Sequence, residues 1–210
     1  MDLNKVILAI TGGSGFVGKS LNKKINKYDF KEVRILRSRE FDLRLLDDAI
    51  KAFEGVDYVI HMAGITGGIE FTGINQGSVY FDNITITTNV LESCRIKNIK
   101  KIVSIGSVCS YPKFPKLPFK ESDIWSGYPE EVNAPYGMAK KMLIVQGEAY
   151  KNQYGMQSQT LLVTNLYGPE DTFEAHRSHV VPAIIVKFHE AIKNNKKKVF
   201  IYYVLLFIFS

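Results

Sequence analysis

An α/β fold with a doubly wound parallel sheet is predicted from three observations. Short, β-branched apolar runs alternate with longer segments of helical period, the pattern of strands joined by crossover helices and covered on both faces. The first run leads into a glycine-rich turn that opens a helix, Thr11-Gly12-Gly13-Ser14-Gly15-Phe16-Val17-Gly18. The 210 residues, 46% of them hydrophobic, suffice for one substantial core, and the size prior gives one domain with part of a second.

In chain order, strands are read at residues 5–10, 32–36, 57–62, 101–106 and 159–164, each a short apolar run. Helical period places helices at residues 15–26, 46–53, 81–97, 135–154 and 180–194. Residues 111–129 hold four prolines and no period, and read as a loop. That loop follows the C-terminal end of the fourth strand, the edge of an open sheet where ligands bind. No internal repeat is visible. Residues 199–210 are an unbroken apolar run, shorter than the ~20 residues of a membrane helix. A buried strand is the first expectation there, ahead of a disordered sticky tail or an interfacial anchor.

The formal charge of +6 suits an anionic partner, which nucleic acid, a membrane surface or a phosphorylated small molecule would each supply. No nucleic-acid-binding signature accompanies the charge, and the lysine-rich run at residues 193–198 reads as a solvated segment, so nucleic acid is set aside. A membrane partner is not expected either. Two cysteines, Cys94 and Cys109, make no disulfide framework, and the N-terminus enters a strand pattern directly, which reads as cytoplasmic. Neither C-x-x-C nor H-E-x-x-H spacing occurs, so no metal is expected.

The glycine turn stands between a strand and a helix, the context a dinucleotide fingerprint requires. Glycines permit a positive φ and let backbone N–H groups of Gly12, Gly13, Ser14, Gly15, Phe16, Val17 and Gly18 approach a pyrophosphate at a helix N-terminus. The second strand ends Leu36-Arg37-Ser38-Arg39-Glu40, where a carboxylate would select NAD and an arginine admits the 2'-phosphate of NADP. Arg37 and Arg39 favour NADP (NADPH) over NAD. The alternative is that both arginines are ordinary surface charges and Glu40 is the ribose ligand. Asp42 and Leu43 follow, a carboxylate and an apolar side chain placed to face the adenine. The third strand runs into His61-Met62-Ala63-Gly64, where Ala63 and Gly64 let backbone pass close to the cofactor and His61 reads as structural.

Tyr136-Gly137-Met138-Ala139-Lys140 sets a phenol and an ammonium one helical turn apart, where the ammonium can favour the phenolate. Ser107, at the end of the fourth strand, can hydrogen-bond a substrate oxygen to which Tyr136 gives a proton while hydride arrives from a nicotinamide.

These residues, with Ala63-Gly64-Ile65-Thr66-Gly67-Gly68-Ile69, Gly106-Ser107-Val108-Cys109-Ser110-Tyr111-Pro112-Lys113, Thr164-Asn165-Leu166-Tyr167-Gly168-Pro169 and Ser178-His179-Val180-Val181-Pro182-Ala183, carry a further likeness. The chain resembles the extended short-chain dehydrogenase/reductase family of nucleotide-sugar epimerases and dehydratases. Within it, the resemblance is to the NADPH-dependent 3,5-epimerase/4-reductase branch acting on GDP-4-keto-6-deoxymannose. It implies a Rossmann-type sheet, a GDP-sugar as small-molecule partner and GDP-L-fucose as product. Epimerisation beside a ketone needs an acid/base pair beyond Tyr136, and by resemblance Cys109 and His179 fill it. Thr164, Asn165 and Leu166 are implied as cofactor contacts, and Ser107, Asn165, His179 and Lys187 as substrate contacts. The family leads one to expect arginine near Lys187, and the lysine exchanges a bidentate ligand for a point charge.

By the same resemblance a homodimer is expected through helices 81–97 and 135–154. Residues 1–165 are expected as the NADP-binding domain and 166–198 as the start of a small substrate-binding lobe. Family members continue well beyond position 198. Residues 199–210 look unlike them and read as a frameshift product, or as a tail replacing a strand. A cofactor-binding module without turnover is therefore kept beside the enzyme reading.

Overall fold

The computed structural model describes residues 2–174, 177–199 and 201. Its elements in chain order are β1 (Ile7–Thr11), α1 (Phe16–Ile25), β2 (Glu32–Leu36), α2 (Leu46–Ala52), β3 (Tyr58–His61), α3 (Ile69–Ile74), α4 (Gln76–Ile96), β4 (Lys101–Ile105), α5 (Ala134–Tyr154), β5 (Ser158–Leu161) and α6 (Val180–Lys193). The five strands form one sheet in the order β2-β1-β3-β4-β5, and every pairing is parallel. This is a Rossmann-type α/β fold. The chain steps from β1 to β2 on one side and then returns to β3 on the other, so a crevice opens above the carboxyl ends of β1 and β3. Register sets Thr11 beside His61 and His61 beside Ser104 across that edge.

Side chains alternate across the sheet with the two-residue period of a strand. Ala9, Val59 and Ile102 face a core closed by Phe53, Val90, Leu91 and Leu143, which come from around α2 and from α4 and α5. Leu8 and Ile10 point the other way, onto Ile25 of α1. Helices α4 and α5 pack side by side on the first face. Helix α6 buries Pro182 and Ala191 but leaves Val181, Ile185, Phe188 and Ile192 exposed.

All five expected strands and all five expected helices are found, with informative differences. Residues 3–5 wind a 3-10 turn closed by Val6 N–H on the Leu3 carbonyl, so β1 starts at Ile7 and reaches Thr11. Helix α3 was not expected, and α4 begins at Gln76 rather than 81. Four glycines, Gly67, Gly68, Gly73 and Gly77, mask helical propensity there. Tertiary contact decides instead: the Gly68 N–H donates to the Arg177 carbonyl at 3.0 Å. The proline-rich loop contains one short 3-10 turn, Glu121–Trp125. The regular ladder of β5 ends at Leu161, after which Val108 N–H still donates to the Val163 carbonyl at 3.0 Å. The strand expected within residues 199–210 falls almost wholly outside the described residues.

Candidate active site

Gly12 has φ +67°, and a Cβ on it would stand 2.7 Å from the Ala63 nitrogen, so the backbone just past β3 runs directly against the turn. A Cβ on Gly18 would overlap the Gly12 carbonyl oxygen, which fixes α1 tightly onto the same turn. The Asn22 side chain donates to the Gly13 carbonyl at 2.8 Å. Helix α1 has no side-chain cap, and its first backbone bond is Lys19 N–H to the Gly15 carbonyl. The N–H groups of Phe16, Val17 and Gly18 thus stand as orphan donors above the crevice, and an anionic pyrophosphate fits them. The loop after β5 folds over this turn. Glu170 pairs with Lys19 at 2.9 Å, and Gly168 lies against the Phe16 ring.

The carboxyl ends of β1 and β3 are welded by Thr11. Its hydroxyl oxygen lies 2.7 Å from His61 Nδ1 and accepts from the N–H groups of Met62 and Ala63, both at 3.1 Å. Its one proton therefore goes to Nδ1, leaving the proton of a neutral His61 on Nε2. His61 is fully buried, and burial, assisted by Lys140, pushes its pKa down to about 3. It acts as a structural histidine. Beyond it, Asn83 of α4 clamps the chain: Ile65 N–H donates to Asn83 Oδ1 at 3.1 Å, and Asn83 Nδ2 donates to the carbonyls of Ile65 at 2.8 Å and Val79 at 2.7 Å. Gly64 runs between this amide and Lys140, since a Cβ on it would stand 2.7 Å from Asn83 Oδ1 and 3.2 Å from Lys140 Nζ.

Ser107 follows β4 and caps a 3-10 turn, Val108–Ser110, its Oγ accepting from Cys109 N–H at 3.1 Å. Helix α5 delivers Tyr136 and Lys140 to the same place because Gly137 lets its first turn rest on Cys109, and Ser110 Oγ donates to the Gly137 carbonyl at 2.9 Å. Burial, and then the neighbouring Cys109, pushes the Tyr136 phenol up to about 12, while the nearby Thr66 and Ser107 hydroxyls hold it down. Burial thus works against the expected drift toward phenolate, with Lys140 Nζ 5.9 Å from the ring centroid. Lys140 is itself buried, which pushes its ammonium down to about 8. Burial likewise raises the Cys109 thiol, with Glu130 adding to it and the Ser107 hydrogen bond opposing. The arrangement offers a neutral phenol, a hydroxyl and a protonated thiol at one point above the sheet, with an ammonium beneath Gly64.

Ser107, Cys109, Tyr136 and Lys140 are thus brought together, and Ala63, Gly64 and the glycine turn border them. His179 is exposed at the N-cap of α6, next to Ser178, whose carbonyl oxygen lies against Gly68. Lys187 is half-buried on α6. Thr164, Asn165 and Leu166 are exposed beyond β5. Arg37 is exposed beyond β2, and Arg39 pairs with Glu40 at 3.4 Å. Asp42 is engaged by Arg44 at 2.7 Å, and Leu43 packs against the main core. Thr66 and Gly137 stand within the quoted motifs without a role of their own, and Asn83 stands in none of them. A glycine inside a helical pattern was a signal for close approach at 137, whereas nothing in the local pattern marked Asn83.

Among the described residues no group of three His, Cys, Asp or Glu side chains is placed to hold a metal, and no helix is long and apolar enough to cross a membrane.

The sequence model of the NAD dependent epimerase/dehydratase family matches residues 8–202. A GDP-L-fucose synthase of Dictyostelium discoideum is 35% identical over 198 residues, spanning 92% of this chain and 62% of that protein. A crystal structure of a GDP-L-fucose synthetase from Naegleria fowleri bound to NADP superposes with a TM-score of 0.85 at 29% identity, over 96% of this chain and 66% of the other. A GDP-6-OMe-4-keto-L-xylo-heptose reductase from C. jejuni superposes with a TM-score of 0.84 at 30% identity, over 90% of this chain and 54% of the other. The chain thus spans between about half and two thirds of the length of these relatives.

Proposed function

Since the chain belongs to the NAD dependent epimerase/dehydratase family, we propose that it carries the cofactor-binding and catalytic part of an NADPH-dependent nucleotide-sugar epimerase/reductase that converts GDP-4-keto-6-deoxy-D-mannose to GDP-L-fucose. The observation that supports this most is the meeting of Ser107, Tyr136, Lys140 and Cys109 beside a turn with orphan N–H donors. A bound nicotinamide cofactor would supply the hydride. Arg37 takes the 2'-phosphate, because Arg39 is already paired with Glu40. The hydroxyl of Ser107 orients the sugar C4 oxygen, and Tyr136, held neutral at physiological pH, hands that oxygen its proton. Lys140 holds positive charge beside Gly64 to stabilise the anionic oxygen left on Tyr136.

Cys109 is a protonated thiol suited to return a proton to the substrate carbon, with His179 as its partner in proton removal. Thr164, Asn165 and Leu166 border the cofactor, and Asn165 and Lys187 reach the sugar nucleotide. Residues 1–165 form the cofactor domain and 166–198 open the substrate lobe. A homodimer forms through α4 and α5, where Tyr80, Phe81, Val145 and Tyr154 are exposed. A second reading, a cofactor-binding module without turnover, draws on the exposed apolar face of α6.

The purified chain is to be incubated with NADPH and GDP-4-keto-6-deoxymannose while NADPH oxidation is followed and the sugar product identified. Formation of GDP-L-fucose supports the first reading. NADPH binding with no oxidation replaces it with the second, and a 4-reduced but unepimerised sugar removes the epimerase half.

A further inference from the structure

Resting on the reading of Asp42 as a carboxylate that faces the adenine of a dinucleotide, we propose that Arg44 is its positioning residue. Anchored on Asp82 of α4, the Arg44 guanidinium holds the Asp42 carboxylate with one acceptor site left open for the adenine 6-amino group.

Leu36 ends β2 in register with Thr11 of β1, so the chain after it leaves the sheet at the edge that carries the glycine turn. Its backbone is pinned there. Asp42 N–H donates to Asp48 Oδ2 at 3.2 Å, Leu45 N–H to the Asp42 carbonyl at 2.8 Å, and Asn89 Nδ2 of α4 to the Leu43 carbonyl at 3.1 Å. Phe41 and Leu43 pack on the main core on either side of Asp42. A fixed backbone settles where the Asp42 side chain starts but not which way its carboxylate turns, and that side chain is 36% exposed.

Arg44 supplies the direction. Asp42 Oδ1 accepts from the Arg44 backbone N–H and from Arg44 Nε, both at 3.0 Å, which fills its two lone pairs. Oδ2 accepts from Nη2 at 2.7 Å and keeps its second lone pair, with Nε at 3.3 Å only sharing in the fork. Arg44 Nη1 donates to Oδ1 of the half-buried Asp82 at 3.2 Å, so the fork is itself tied to α4. A lone exposed ion pair would hold little, whereas a bidentate arginine braced by a second carboxylate has a defined placement. The Arg44 hydrogen bonds also hold Asp42 below its ordinary carboxylate range, which keeps it an acceptor only. One acceptor of set direction suits the N–H of a 6-aminopurine. It turns away the 6-oxo group of hypoxanthine, where acceptor would face acceptor.

The test is isothermal titration of the full 210-residue chain with NADPH and with its hypoxanthine analogue, in which oxygen replaces the 6-amino group. The wild type is expected to bind NADPH about tenfold more tightly than the analogue. Arg44→Met should cut that preference to about threefold or less, through weaker NADPH binding, and Asp82→Asn should lower it partway. In an Asp42→Asn background Arg44→Met should change the preference no further, since no carboxylate is left to orient. The ratio of two affinities cancels any general loosening of the fold. A wild-type preference in Arg44→Met overturns the proposal while leaving Asp42 as the reader of the base. An Arg44→Met effect of equal size in the Asp42→Asn background overturns it as well. A wild type that binds both compounds alike, or neither, removes the adenine reading of Asp42 and the positioning role with it.

Discussion

Gly137 lies against Cys109 so closely that any Cβ on it would overlap the Cys109 carbonyl oxygen. That approach lets the first turn of α5 carry Tyr136 beside Ser107, and a Ser110 hydroxyl on the Gly137 carbonyl locks it at 2.9 Å. Gly137→Ala must therefore push α5 off the Val108–Ser110 turn. The overpacking should cost about 1–3 kcal/mol, read as a lowered urea midpoint. NADPH-dependent turnover should fall further than stability does, since a displacement of about 1 Å misplaces the phenol. Wild-type turnover in this variant would show that the close approach is dispensable.

Removing the phenol tests its role directly. Tyr136→Phe keeps the ring and its packing and removes the proton, so turnover should drop by about 10²–10⁴ with NADPH affinity unchanged. Lys140 adds a pH signature. Its ammonium is held at about 8, while Tyr136 stays protonated up to about 12. The rate should decline as pH rises through about 8, and that limb should vanish in Lys140→Met. A pH profile flat across this interval in the wild type would remove Lys140 from the charge balance.

The strands, and the side chains the structure gathers at the end of β4 and the start of α5, were legible because each carries its signal locally. An apolar run declares β1 or β4, and a Tyr-x-x-x-Lys on a helix declares a phenol near an ammonium. What stayed hidden is what distant segments do to one another. Asn83 looks like an ordinary polar residue in a helix until Ile65, eighteen positions away, brings its backbone to it. Thr11 meets His61 across fifty positions, a contact that only the register of β1 and β3 creates. Helix α3 was lost under its glycines because propensity is a weak prior that the docking of Gly68 on Arg177 overrides. The direction of the Tyr136 shift was unreadable for the same reason, since desolvation depends on what covers the ring.

Cofactor preference isolates Arg37. Arg39 is spoken for by Glu40 and Arg44 by Asp42 and Asp82, which leaves Arg37 as the guanidinium at the end of β2 without an ion pair among the described residues. Arg37→Ser should weaken NADPH binding by about tenfold or more while leaving NADH binding nearly unchanged, a difference of about 1.4 kcal/mol in favour of the phosphorylated cofactor. Arg39→Ser should change neither by much. Isothermal titration with both cofactors decides it, and equal losses for NADPH and NADH would count against 2'-phosphate recognition by Arg37.

His61 gives the fold a pH limit of its own. Buried against Lys140, it has its pKa lowered from 6.5 to about 3, so between those values the unfolded chain binds a proton that the folded chain refuses. Its contribution is complete above 6.5 and is lost as pH falls toward 3, on the order of a few kcal/mol in all. The paired carboxylates Glu92 and Asp57 act in the same direction, but only once pH drops below their ordinary values of 4.5 and 3.8. Among the described residues, the interval from 6.5 down to 4.5 therefore belongs to His61. Urea midpoints should fall steadily across it in the wild type. In His61→Asn, whose amide oxygen can still accept from Thr11, they should stay level, because no group at that position takes up a proton on unfolding. A variant that lost stability across this interval as steeply as the wild type would place the acid sensitivity elsewhere.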